Sequence, residues 1–428
     1  MERDRGPDMN IPGNALNGSF HRKNLLASIA GPAVLGIIIG AFISVFVFLV
    51  KDILLFYLYN CRNAWLLFFL PTAGLLASTL ARRYLIPSKE NMLTEEYILV
   101  YHSPGIRMSF SNLFGKLFST IVTIASGGSA GLEGPSIYAG ANIGEAVQHR
   151  SREDFEGLDC HFMMIAGAAA GFAALFKAPL TSAIFIMEVP YKSGMSSRAL
   201  IPSLVASASS YLTAAFLTGP DPIFLVAHKI RFDLLVLLIA PMIGIASGIF
   251  AKLFVQLSRY LSVIRHKFRK HEYAFSLASG LFLGAIGLLT ISLTGKPFSY
   301  GAGYSQIKFL LENNPSAVIL ITLFVARMIA TPVTFAGGGT GGVFFPLAVL
   351  GITVGAFFNK IAYFQDVSLY PLIGLSSFLA AGYRTPLAAV TFAAETTGNP
   401  YVLIPAMIAS VTSFLIMGKS GISGHQKD

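Results

Sequence analysis

Pro179-Leu180-Thr181-Ser182-Ala183-Ile184-Phe185-Ile186-Met187-Glu188 returns 207 residues later as Pro386-Leu387-Ala388-Ala389-Val390-Thr391-Phe392-Ala393-Ala394-Glu395, with Pro, Leu, Phe and Glu in register. A second pattern, Gly-x3-Pro-x4-Gly, is doubled as well, at Gly131, Pro135 and Gly140 and at Gly342, Pro346 and Gly351. Both copies open short, Gly-rich apolar stretches that are too interrupted to be ordinary membrane spans. Related halves built on broken helices are the sequence signature of a membrane transport protein. Shifting residues 24–50 by 207 lands on the apolar run 231–257, so the repeat covers whole halves.

The composition agrees: 54% of residues are hydrophobic and 12% charged, which excludes an ordinary soluble protein. Uncharged runs long enough to cross about 30 Å of hydrocarbon lie at 25–50, 64–81, 199–219, 234–251, 274–295, 342–359 and 401–418. With the interrupted stretches, about ten to fourteen membrane segments are expected. The first run starts late and is too long for a cleavable signal peptide, and after the last run a short tail with no soluble regulatory domain is expected. The net charge of +10 reads as topogenic, not as a nucleic-acid surface. Arg259, Arg265, Lys267, Arg269 and Lys270 form one cytoplasmic loop in this reading, and Arg82, Arg83 and Lys89 another. Cys61 and Cys160 have neither metal-ligand spacing nor a disulfide framework. No cofactor or metal is expected, and scattered histidines without a Ser/His or paired-acid constellation argue against an enzyme.

Orientation follows from charge. Arg22 and Lys23 precede the first span, whereas the basic loop follows its counterpart, so the halves are inverted about an axis in the membrane plane. The expected organisation is a cytoplasmic segment at 1–23, half-repeats at 24–219 and 220–418, and a cytoplasmic tail at 419–428. Inverted halves bring broken helices together with their N-termini converging, and unpaired N–H groups there favour an anion. Glu133 lies inside the first Gly-Pro copy, where a charge costs roughly 2.5–3.5 kcal/mol on insertion scales. Its ionised form competes with a permeating anion for the same donors, and protonation removes the competitor. Glu188 and Glu395, at equivalent repeat positions, are expected to satisfy buried donors near helix ends.

Gly131-Leu132-Glu133-Gly134-Pro135, Gly341-Gly342-Val343-Phe344-Phe345-Pro346 and, more loosely, Ser103-Pro104-Gly105-Ile106-Arg107 resemble the three signature elements of the CLC chloride channels and proton/chloride exchangers. Residues 167–188 and 385–399 fit the same family, in its order. The resemblance implies an all-α integral membrane protein, a CLC-type inverted-repeat bundle of many tilted and broken helices. It also implies a homodimer with one pore per subunit, in the cell membrane, handling chloride, other small anions and protons. Glu133 matches the gating glutamate, and Lys116 a basic residue of the pore region. Gly134 and the backbone N–H groups of Val343 and Phe344 match anion-site positions, beside Pro104, Gly105 and Ile106.

Three departures are visible. Val189 stands where exchangers carry an internal proton-relaying glutamate, which favours channel-like conduction over the alternative, a proton-coupled antiporter. Pro104 replaces the central serine, a change found in members that prefer nitrate. Ser423 aligns with the C-terminal tyrosine that helps hold the central anion, and is too short to reach as far.

Overall fold

The computed structural model describes residues 18–86, 92–103, 106–150, 161–196, 199–224, 234–362 and 368–428. The first half runs through α1 (Gly18–Val47), a π-helical passage at Phe48–Leu54, α2 (Leu55–Asn60), α3 (Ala64–Leu85) and α4 (Leu93–Tyr101). It continues with α5 (Phe110–Ala125), α6 (Glu133–Arg150), α7 (Phe162–Phe176), α8 (Pro179–Glu188) and α9 (Leu200–Thr218). The second half comprises α10 (Leu234–Lys267), α11 (Glu272–Thr294), α12 (Tyr304–Glu312), α13 (Ala317–Ala336), α14 (Phe344–Ala362), α15 (Leu369–Tyr383), α16 (Pro386–Glu395) and α17 (Leu403–Met417). Helices α7 and α15, and α8 and α16, begin and end at the same 207-residue offset that the sequence pattern shows.

Local chemistry sets these boundaries in pairs. Pro179 and Pro386 occupy the first turns of α8 and α16, where a missing N–H costs nothing. Lys177 and Arg384 end α7 and α15 in the left-handed conformation, at φ 49° and 60°. Helices α6 and α7 pack backbone to backbone, because a Cβ on Gly140 would lie 2.0 Å from the Gly167 carbonyl oxygen. Small residues permit such close approach between membrane helices.

Among the described residues, eight helices are long and apolar enough to cross a membrane, and shorter apolar helices, including α7, α8, α15 and α16, accompany them. All seven uncharged runs of the sequence fall on these eight. The eighth, Ala317–Ala336, carries Arg327, which interrupts its hydropathy. That guanidinium is fully buried and donates to the Phe298 and Gly301 carbonyls, to Ser129 Oγ at 2.8 Å and to Gln306 Oε1 at 3.1 Å. These partners are carbonyl and hydroxyl oxygens and not an acid, so Arg327 ties α13 to the segments around it. The basic loop expected at 259–270 is corrected: Arg259, Arg265 and Lys267 lie on α10, and only a short 3-10 turn at Arg269–His271 separates it from α11. Helix α10 outlasts its apolar run because long basic side chains extend past the apolar surface.

The inversion is visible in one pair of contacts. Glu188, at the end of α8, accepts from the Leu387 and Ala388 N–H groups at 3.2 and 2.9 Å, at the start of α16. Glu395, at the end of α16, accepts from Leu180 and Thr181 at 3.0 and 2.7 Å, at the start of α8. Two equivalent helices that cap each other's starts run antiparallel, so the axis relating them is perpendicular to both. For helices set across a bilayer, that axis lies in its plane. The expected role of Glu188 and Glu395 as satisfiers of buried donors is what these contacts show.

Candidate functional site

Helices α6 and α14 meet head to head. Gly131 and Gly342, just before them, exchange N–H···O bonds of 2.8 and 2.9 Å. The first N–H groups of a helix have no partner within it, so two sets of donors converge here. Glu133 opens α6 and is fully buried. Its Oε1 accepts from the Phe345 N–H of α14 at 3.3 Å, and its Oε2 has no hydrogen-bond partner among the described residues. The carboxylate thus lies over the start of the opposite helix, a position suited to an anion. Only glycine leaves room for it. A Cβ on Gly131 would lie 1.9 Å from Oε2, and one on Gly342 2.2 Å from Oε1. In the repeat, Phe344 is the counterpart of Glu133: each opens its helix two residues after the paired glycine.

Aromatic side chains seal the pocket. The Phe344 ring packs against Phe172, Phe185 and Phe392 at centroid distances of 5.2, 5.1 and 4.9 Å, and Phe345 lies 4.2 Å from Tyr304. Tyr383, the last residue of α15, packs on Phe344 at 5.8 Å. Its ring also lies 5.6 Å from that of Phe185.

Two cavities approach this centre. One, of about 570 Å³, is lined by Arg82, Glu95, Arg259, Arg265, His266, Arg269 and Glu272 among others. The other, of about 520 Å³, includes Lys51, Asp52, Tyr59, Lys296, Tyr304, Lys308 and Glu312 in its wall. They open on opposite faces. Arg82 lies near the end of α3 while Asn60 precedes its start, and the 22 residues between those ends span about 33 Å. Both mouths carry more basic than acidic side chains, which concentrates small anions.

Among the sequence-derived site residues, Glu133, Gly134, Val343 and Phe344 come together. Gly134 packs so closely that a Cβ would lie 2.9 Å from the Gly341 carbonyl oxygen. Lys116 is fully buried but pairs with Glu96 and sits 4.3 Å from the Tyr138 ring centroid, so its charge is countered locally. Val189 caps α8, with its side chain buried and its carbonyl bonded to Gln426 Nε2 at 2.9 Å. Ser423 donates to Glu95 Oε2 at 3.0 Å.

Ile106 is a correction. It is 49% exposed, and its neighbour Arg107 lies 3.0 Å from His149, in the last turn of α6. Glu133 begins that 18-residue helix, so Ile106 lies about a helix length, some 25 Å, from it. Pro104 and Gly105 fall outside the described residues, between Ile106 and the C-terminal end of α4. The end of α4 that reaches the site is its start, where the Leu93 N–H bonds the Gly341 carbonyl at 3.3 Å. A five-residue motif fits either end of a short helix, and tertiary packing decided which. Sequence reasoning also passed over Thr94, Glu95, Glu96 and Tyr383. The signal was the acidic pair in the first turn of an otherwise apolar helix.

An inverted repeat of broken helices that meet at a buried carboxylate defines a multi-span membrane protein of the transport class. Within that class, the chain belongs to the voltage gated chloride channel family, CLC, whose sequence profile matches residues 73–418. It is similar to the H(+)/Cl(-) exchange transporter ClcA of Vibrio cholerae serotype O1, at 29% identity over 307 residues, 69% of this chain and 64% of the relative. The chain thus matches less than two thirds of the length of that curated relative. In fold it is similar to a CLC-type fluoride/proton antiporter, with a TM-score of 0.82 at 21% identity, covering 96% of this chain and 99% of the other. A slow cyanobacterial Cl-/H+ antiporter matches with a TM-score of 0.79 at 19% identity, over 91% and 94% of the two chains.

Proposed function

We propose that the protein carries chloride and other small anions across a membrane, through a pathway that Glu133 closes when ionised and opens when protonated. The observation that carries this reading is the Glu133 carboxylate seated at the start of α14, bonded to the Phe345 N–H, where an anion would take the same donors. Val343 and Phe344 contribute backbone N–H groups to that anion site in this reading, with Gly134 giving close access. Lys116 contributes a smaller potential than its charge alone would, because Glu96 counters it. The repeat halves, taken as 24–219 and 220–418, supply one helix start each. We propose further a homodimer in the cell membrane with both termini cytoplasmic.

Two modes of transport are supported by different observations. Val189 has no group that binds a proton, which favours passive conduction. A relative named as an H(+)/Cl(-) exchange transporter, and an acid at one mouth of the pathway, favour coupled exchange.

The test is chloride efflux from liposomes holding the purified protein, measured across pH. The wild type should pass more chloride as pH falls, because protonated Glu133 no longer occupies the site. Glu133→Gln should flow at a rate independent of pH. A Glu133→Gln variant that keeps the wild-type pH dependence would exclude the gating role.

A further inference from the structure

We infer that the arginine-lined cavity is a binding site for a ligand carrying two phosphate groups, and that the seated ligand closes this mouth of the pathway. The closure rests on the reading of this mouth as an anion entrance, whereas the binding does not.

The site is laid down along one helix. Helix α10 outlasts its apolar run, and there Ser258, Ser262 and Arg265 follow at steps of four and three, on one helical face. Arg259 and His266 flank that face, and Arg269, in the short turn after α10, extends it. Arg82, in the last turn of α3, completes the basic wall.

Among the described residues, the permanently charged cations of this wall are all arginines: Arg82, Arg259, Arg265 and Arg269. Lysines take that part at the other mouth, as Lys51, Lys296 and Lys308. The difference is chemical. An ammonium is a point charge suited to drawing in a hydrated ion, whereas a planar guanidinium grips phosphate oxygens through two parallel N–H bonds. Two of the arginines are held in place without being neutralised. Arg259 donates to the Gly421 carbonyl and Arg265 to the Phe335 carbonyl, each at 3.0 Å, and both keep further N–H groups. The two acids in the wall are engaged. Glu272 pairs with Arg83 at 3.0 Å, and Glu95 accepts from Ser423 Oγ and the Gly424 N–H. Ser258 Oγ is buried in the wall with no hydrogen-bond partner among the described residues, a donor for a phosphate oxygen.

Size and place agree. A volume of about 570 Å³ lies within the ~300–1,000 Å³ of pockets that take a whole small molecule, and a single halide would leave most of it empty. A neighbouring cavity of about 370 Å³ shares Arg82, Arg269 and Glu272 with it and adds Arg83, so the basic surface continues far enough for a second phosphate. Met92, also in the wall, pairs with Gly341, next to the glycine that makes room for Glu133. A ligand seated here fills the space that an anion crosses on its way to that helix start.

The probe is inorganic diphosphate. Calorimetric titration of the wild type in detergent should show saturable binding, and Arg265→Gln with Arg269→Gln should weaken it about tenfold through lost charge-assisted bonds. In liposomes with the protein oriented in one sense, diphosphate on the arginine-lined side should slow chloride flux, and on the other side it should not. Sulfate at equal ionic strength should slow it far less. Vesicles of phosphatidylcholine with and without cardiolipin distinguish the source of the phosphates. A lipid headgroup as ligand makes cardiolipin slow the flux and blunts the effect of diphosphate, whereas a soluble ligand leaves both unchanged. Diphosphate that does not bind, that binds without slowing flux, that acts equally on the double variant or that sulfate matches overturns the inference. If the double variant does not fold, Arg269→Gln decides, since its side chain is exposed: weakened binding supports the site and unchanged binding overturns it. A wild type that passes no chloride with or without diphosphate is a failure of the transport reading and not of the site, and the titration then decides alone.

Discussion

At the scale of the residue, the site is decided by two absent side chains as much as by the carboxylate. Gly131 and Gly342 leave the space that Glu133 fills, with Cβ positions 1.9 and 2.2 Å from its oxygens. Gly342→Ala is therefore expected to push the carboxylate out of its pocket while the aromatic packing around Phe344 holds. Chloride flux should then lose most of its pH dependence, as in Glu133→Gln, and flux across pH measures it. A Gly342→Ala protein with wild-type pH dependence would show that the carboxylate does not need this seat. Lys116 gives a contrasting case. Its role is set by Glu96 in a buried pair, and breaking such a pair by removing one partner costs roughly 3–5 kcal/mol. Lys116→Met should lower the unfolding midpoint in detergent markedly, and Lys116→Met with Glu96→Leu should recover much of the loss.

At the scale of the element, α8 and α16 hold the two halves together by capping one another. Each glutamate satisfies two N–H groups at the other helix's start, and leaving such donors unmet costs about 1–3 kcal/mol. Glu188→Ala and Glu395→Ala should both lower thermal stability, with Glu188→Gln closer to wild type because its amide oxygen still accepts. Equal stability of Glu188→Ala and wild type would mean the caps contribute nothing. This contact was legible in the sequence, since a repeat writes the same Pro and Glu into both helices and symmetry brings one against the other. Glu133 was legible too, because a carboxylate between glycines in an apolar stretch needs donors. The start of α4 was not. It is short, its Glu95 and Glu96 drew no reading from the sequence, and nothing local tells which of its ends meets the Gly341 turn. Tyr383 was hidden for a similar reason: it ends an apolar helix, and only the fold packs its ring on Phe344.

At the scale of the whole molecule, the inverted repeat supplies a symmetric frame and the unrepeated residues give it direction. Glu133 opens its helix in one half where Phe344 opens its own in the other, so the carboxylate belongs to one helix start only. The two mouths differ likewise. Lysines Lys51, Lys296 and Lys308 line one, while arginines and Glu95 line the other. Such clusters raise the local concentration of anions, and their reach is set by a screening length of about 8 Å at physiological salt. Lys296→Gln with Lys308→Gln should therefore slow chloride entry from that mouth by a few-fold at low ionic strength. The deficit should shrink as an impermeant salt is added, and it should be smaller for entry from the arginine-lined mouth. Lys296, just after α11, and Lys308, on α12, are both exposed and neither is bonded to Glu133, so the pH dependence of flux should stay as in the wild type. Unidirectional flux with the protein oriented in one sense in liposomes measures each arm. A deficit that does not respond to salt would mean these lysines act through local structure and not through the field at the mouth.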